Sequence, residues 1–176
     1  MFMISKFMYN VLYKPREYIK INPYEEENHI SNFYYFRLGA INDNGNLVEI
    51  DKTLTIPKNG FITVWSLEEF IFGERILGLF GNLSALVGRG LQLVHSPSID
   101  PGFTGCLSLG IKNNTSDPVD LAMGDRIGKI LFFDVSDTII DAEEFLQNVL
   151  KQKELEERSR AADTMIKAYG DIMKNP

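Results

Sequence analysis

Short runs of alternating apolar and polar residues, separated by turn-forming clusters, dominate the first 135 positions. Residues 1–14 alternate loosely and fit a helix or a strand equally. Pro15 and Pro23 punctuate the next stretch, and the polar, acidic run Tyr24 to His29 reads as a loop. The aromatic-rich run from Asn32 to Leu38 suits a strand. Asn42-Asp43-Asn44-Gly45-Asn46 is a hairpin turn, because Asn-Gly tolerates positive φ at both central positions, and Leu47 to Ile50 is the returning strand. A second turn, Pro57 to Gly60, leads into a strand from Phe61 to Trp65. Ser66-Leu67-Glu68-Glu69 has the spacing of a capped helical turn or short loop. Ile76 to Phe80 is apolar and opens onto a Gly-rich segment in which Asn82 to Val87 forms a short helix. Strands are predicted at Leu91–His95, Leu107–Ile111, Val119–Ala122 and Ile127–Asp134. Many short strands between turns predict an all-β body, closed or sandwiched.

The pattern changes at Ser136. Apolar residues recur at helical spacing through Ala142, Phe145, Leu146, Val149 and Leu150, then Leu155, Met165, Ile166, Tyr169 and Ile172. The division is therefore a β domain over residues 1–135 and a C-terminal helical extension over 136–176, with a charged middle from Lys151 to Arg160. Thirty residues of helix would span about 45 Å. Such an element can lie across its own β body or pair with a neighbouring subunit or a protein partner, and both arrangements stay open.

Composition narrows the function. The chain has 176 residues, 44% of them apolar, a formal charge of −6 and a pI near 5.0. That balance supports a folded core and excludes the basic face of a general nucleic-acid binder, while leaving a local nucleotide site possible. No stretch approaches the roughly 20 apolar residues of a membrane helix. The N-terminus lacks the long apolar run and small-residue cleavage site of a signal peptide, and a single cysteine fits the reducing environment of a cytoplasmic protein. The single cysteine, Cys106, excludes an intramolecular disulfide and sits among apolar neighbours as a buried strand residue. With two distant histidines, His29 and His95, it provides no metal-ligand spacing.

Three segments carry candidate chemistry. Gly81 to Gly90 contains Ser84 and Arg89 in Gly-rich backbone able to approach a phosphate, and the Arg89 fork suits phosphate oxygens. Ile99-Asp100-Pro101-Gly102-Phe103 is a turn that sets a carboxylate beside an aromatic ring. Gly124-Asp125-Arg126-Ile127-Gly128-Lys129 opens the last strand, and Arg126 and Lys129 add positive charge there. Each has a structural alternative: Ser84 as a helix cap, Arg89 in an inter-subunit ion pair, Asp100 capping local amides, Lys129 as a solvated strand residue.

In this order the motifs resemble those of the dCTP deaminase and dUTPase superfamily. Gly81 to Leu91 is similar to its Gly-x-x-Ser…Arg-Gly-Leu motif. Ile99 to Gly105 matches Ile-Asp-Pro-Gly-aromatic-x-Gly, and Gly124 to Gly128 matches Gly-x-x-Ile-Gly. Ile21-Asn22-Pro23, Phe36-Arg37-Leu38-Gly39 and Ile56-Pro57 with Gly60-Phe61 resemble the deaminase branch. The resemblance implies a mainly β, dUTPase-like distorted, jelly-roll-like barrel, assembled as a homotrimer with sites between subunits. It implies a nucleotide ligand, with Ser84 and Arg89 on phosphates, Asp100 on sugar or base, Phe103 against the deoxyribose and Lys129 nearby. No cofactor is implied, although Mg²⁺ can accompany a nucleoside triphosphate.

The sequence also departs from that pattern. The catalytic glutamate that comes after Ile-Asp-Pro-Gly falls at Gly110, the arginine before Ile-Asp at Ser98, and the glutamine of the last motif at Lys129. The Gly-rich C-terminal arm is missing. Glycine cannot activate water or shuttle protons to a leaving amine. The preferred expectation is a non-catalytic nucleotide binder. The alternatives are an active dCTP deaminase or dUTP diphosphatase in which Asp100 activates water, and a protein-interaction module acting through the C-terminal extension.

Overall fold

In the computed structural model, residues 1–16 and 18–136 are described. The chain divides into two units, Met1–Asp137 and Thr138–Pro176, and the described residues all belong to the first. The helical extension expected from Ser136 lies outside them.

The strands are β1 (Phe2–Ile4), β2 (Ile19–Asn22), β3 (His29–Ile30), β4 (Phe33–Asp43), β5 (Asn46–Glu49), β6 (Thr53–Ile56), β7 (Phe61–Phe72), β8 (Ile76–Gly81), β9 (Leu91–Val94), β10 (Ser98–Ile99), β11 (Thr104–Asn113), β12 (Val119–Ala122) and β13 (Arg126–Asp134). Short helical segments interrupt them: α1 (Lys6–Met8), continued as a π-helical turn over Tyr9–Tyr13, a 3-10 turn over Glu26–Asn28, and α2 (Ser84–Gly88). The N-terminal stretch, which fitted either element, contains both.

The main sheet runs β10-β8-β13-β4-β7-β11-β9, every pairing antiparallel, and β6 and β12 form a separate two-stranded ribbon. The alternation read from the sequence decides the faces. Tyr34, Phe36 and Leu38 of β4, Phe70 and Phe72 of β7, Leu109 and Ile111 of β11, and Ile130 and Phe132 of β13 point into one core and are at most 3% exposed. The sheet is a curled half-barrel, since its end strands β10 and β9 are not paired with each other. They are consecutive in the chain, so His95, Ser96 and Pro97 bridge the gap. The β4–β5 hairpin turns at Asn44 and Gly45, with φ of 51° and 90°, as its Asn-Gly pair demands.

Three expectations fail. The run Tyr24 to His29 is not all loop: His29 is buried and pairs through β3 with Tyr34 of β4. Ser66 to Glu69 form no helical turn, because β7 continues unbroken to Phe72. Their polar groups satisfy neighbouring strands where the ladders slip. The β7–β11 register shifts between Cys106 and Ser108, and there the Ser66 hydroxyl accepts from the Leu107 amide at 2.8 Å and donates to the Glu68 carbonyl. The β4–β7 register shifts between Leu38 and Ala40, and there Glu68 accepts from the Arg37 amide at 2.8 Å and from Arg37 Nε at 2.7 Å. Gly39 fits this bulge because a Cβ would stand 2.6 Å from the Leu67 Cα. Cys106 is exposed rather than buried. The β11 alternation sends Leu107 inward and leaves Thr104, Cys106 and Ser108 on the outer face.

Candidate functional site

The turn at Ile99 to Phe103 is held from three sides. Ile99 is 4% exposed and pairs with Gly78 of β8. Gly102, at φ 78°, donates its amide to the Gly73 carbonyl. The Phe103 amide bonds the Asp100 carbonyl at 3.2 Å, while the Phe103 carbonyl accepts from Phe72 at 2.8 Å. Glycine is suited to that positive φ, and proline pre-sets the preceding corner. Asp100 is consequently presented to solvent on a fixed backbone. The Phe103 ring is half-buried, edge-on to Phe72 with centroids 6.3 Å apart.

Asp100 and Phe103 share a cavity of about 510 Å³ where the sheet curls round on itself. Trp65 and Ser108 form one wall; Phe80 and His95, with ring centroids 4.5 Å apart, form another. Among the described residues on the lining, Asp100 is the one carboxylate. An imidazole (His95) and hydroxyl groups (Ser96, Ser98, Ser108) line it together with aromatic surface, the composition of a small-molecule site. His95, read from the sequence as the end of a strand, lies just past β9 on this cavity. It is brought there by the chain's short return into β10, which no local pattern reveals.

The other expected contacts lie elsewhere on the protomer. Ser84 opens α2 and is exposed. Arg89, at the end of α2, donates to the Asp120 carbonyl. Lys129 lies over the Phe33 ring, 4.5 Å from its centroid, and fills the space beside Gly81, where a Cβ would stand 2.7 Å from its Cε. None of the three lines the Asp100 cavity. Arg126 is likewise engaged, bonding Asn28 Oδ1 at 2.7 Å above the Tyr35 ring.

Gly110 sits in mid-strand on β11, opposite Thr63 and Val94. A Cβ there would meet Phe61 Cζ at 2.4 Å and Cε2 at 2.5 Å. The space a longer side chain would take is filled by an aromatic ring.

A second cavity of about 810 Å³ lies on the far side of Trp65 and Cys106, walled by Leu47, Ile50, Leu67 and Met123 with Glu49 and Asp51 among its lining. Although Cys106 is exposed, partial desolvation by its neighbours pushes the thiol up, helped by the charges of Glu69 and Glu68, so it stays protonated near neutrality. Other perturbed groups are structural. Burial raises Glu68 despite the opposing Arg37, itself bonded to Glu25. Burial also pushes Asp134 up, but hydrogen bonds from Arg75, Tyr13 and Ser136 outweigh it and hold the carboxyl well below its usual range. Among the described residues, no three His, Cys, Asp or Glu side chains gather to hold a metal ion. No described helix is long and apolar enough to cross a membrane.

These features define a mainly β protein, a curled antiparallel sheet with a polar and aromatic cleft beside an Asp-Pro-Gly turn. Residues 40–135 match the family model for dCTP deaminase-like domains, and the chain belongs to that family. It is similar to the dCTP deaminase of Pyrococcus horikoshii, 29% identical over 128 residues that cover 71% of this chain and 81% of the relative. A dCTP deaminase of Thermococcus kodakarensis is 29% identical over 123 residues, covering 68% and 79%. Among solved structures, the 2'-deoxycytidine 5'-triphosphate deaminase from Agrobacterium tumefaciens shares the fold with a TM-score of 0.61 at 15% identity, over 74% of this chain. The match spans 47% of that longer protein.

Proposed function

We propose that this protein binds a nucleotide on the dCTP deaminase-like scaffold without deaminating it. The observation that carries the reading is the pairing of an intact Asp100-Pro101-Gly102-Phe103 turn on a cavity with a glycine at position 110 covered by Phe61. The turn can hold a sugar hydroxyl or a base N–H through Asp100 and pack the sugar against Phe103. Deamination of a cytosine ring requires a group that takes a proton from water and delivers one to the departing amine. On the resemblance that group belongs at position 110, and neither glycine nor a phenyl ring can supply it. Asp100, the single carboxylate on the described lining, gives no protein cage for Mg²⁺, so the ion would arrive on the phosphates.

In this reading the protein is a homotrimer. Ser84, Arg89 and Lys129, which stand away from the Asp100 cavity within one protomer, would reach the phosphates across a subunit boundary. Sensing or sequestering a nucleotide then needs binding alone.

The test is incubation of the purified chain with deoxynucleotides, ribonucleotides and cyclic dinucleotides, read by thermal shift and by chromatography of the ligand, with and without Mg²⁺. A shift with the ligand unchanged, lost in Asp100→Asn, is the expected result. Conversion of dCTP or dUTP at an enzymatic rate would overturn it in favour of an active deaminase or diphosphatase.

A further inference from the structure

Phe61 is 56% exposed although it opens the interior strand β7. The burial alternation fixes its direction. Val64 and Ser66 point inward, so Phe61, Thr63 and Trp65 share the outer face; across the ladder Leu109 and Ile111 point inward, leaving Ser108 and Gly110 on that same face. The ring edge rests on Gly110, within 2.5 Å of where a Cβ would stand, and that Cβ would also be 3.2 Å from Val94, itself 43% exposed. A glycine in mid-strand forgoes side-chain packing, and here the bare backbone becomes a shelf for an aromatic ring. Ser108, two residues along β11, faces Trp65 on the wall of the Asp100 cavity. Two strand residues advance about 7 Å, a span comparable to a nucleoside from base to sugar.

We infer that Phe61, seated on Gly110, is the stacking platform for a flat heteroaromatic base whose sugar end lies in the Asp100 cavity. The inference rests on the nucleotide-binding reading and adds the way the base is recognised. A ring face offers no donor or acceptor code, so stacking selects for planarity and accepts purines and pyrimidines alike. An aromatic ring covering a strand glycine also supports strand pairing, so the test must read the base and not stability alone.

Calorimetric titration of the full chain with dCTP, dUTP, dATP and inorganic triphosphate makes the distinction. The expected result is that Phe61→Ala weakens all three nucleotides roughly 10- to 100-fold, leaves the base-free triphosphate unchanged, and is rescued to within about threefold by Phe61→Tyr. Unaltered nucleotide affinity in Phe61→Ala would overturn the platform while leaving nucleotide binding in place. So would a selective loss in His95→Ala with Phe61→Ala unaffected, which would put the base on the Phe80–His95 wall. If the wild-type chain bound none of the nucleotides, the underlying reading would fall with it.

Discussion

Acidification between pH 6.5 and 4 is expected to destabilise this protein through one side chain, His29. The ring is 1% exposed, enclosed by Tyr9, Tyr24, Tyr34 and Phe132 with centroid separations of 4.9 to 6.3 Å. Tyr24 Oη sits 3.3 Å from Nδ1, and Nε2 has no hydrogen-bond partner among the described residues. Burial, aided by the Lys6 charge, lowers its pKa from 6.5 to about 4. Below pH 6.5 the unfolded chain takes up a proton that the native state refuses until about pH 4, so protons favour unfolding throughout that window. The slope is about 1.4 kcal/mol per pH unit, and the full window is worth about 3 kcal/mol, a large share of a typical domain's stability. Urea unfolding followed by Trp65, the only tryptophan, would measure it at pH 7.5, 6, 5 and 4.5 in the wild type and in His29→Phe. His95 is present in both proteins and cancels in the comparison. The difference in stability between the two proteins should change by most of that amount across the window, because Glu68, raised by burial and acting in the opposite sense, is common to both. Parallel slopes in the two proteins, or a His29 ring resonance titrating near 6.5, would refute the reasoning. Asp134 acts in a separate window: its carboxyl is held low, so its contribution is lost only as pH falls below about 4.

Three further substitutions test the strand crossings. Glu68→Gln removes the fully buried partner of Arg37 and should cost about 3 kcal/mol, read as a lower urea midpoint with an unchanged m-value. Gly39→Ala places a methyl 2.6 Å from the Leu67 backbone, which cannot swing aside, so a loss of about 3 kcal/mol is expected in thermal unfolding; a neutral result would show the bulge to be pliable. Asn113→Ala deletes an amide that donates to the carbonyls of Ile56, Pro57 and Asp117 and accepts from Thr115, and should cost about 2 kcal/mol with faster amide exchange confined to those loops.

The β body, most strand positions and the turns are legible from residue order alone. Period-two alternation says which residues share a face, and Asn44-Gly45 and Gly102 carry the backbone freedom their corners need while Pro101 pre-sets its own, so these features require no knowledge of the fold. The Asp100–Phe103 half of the candidate site is legible for the same reason, since one turn holds both residues. Alternation does not say which residues lie across a strand. Ser66 and Glu68 look like a helix cap because their true partners, the amides of Leu107 and Arg37, are 41 and 31 residues away. His29 looks like a loop residue until β3 pairs with β4 and Tyr9 and Phe132 close over it. Cys106 looks buried because its neighbours are apolar, yet the register of β11 turns it outward. Gly110 reads as a missing side chain, whereas the fold shows a place occupied by Phe61. Each of these depends on contacts between distant strands, and they are settled in three dimensions, where register and curl are fixed together.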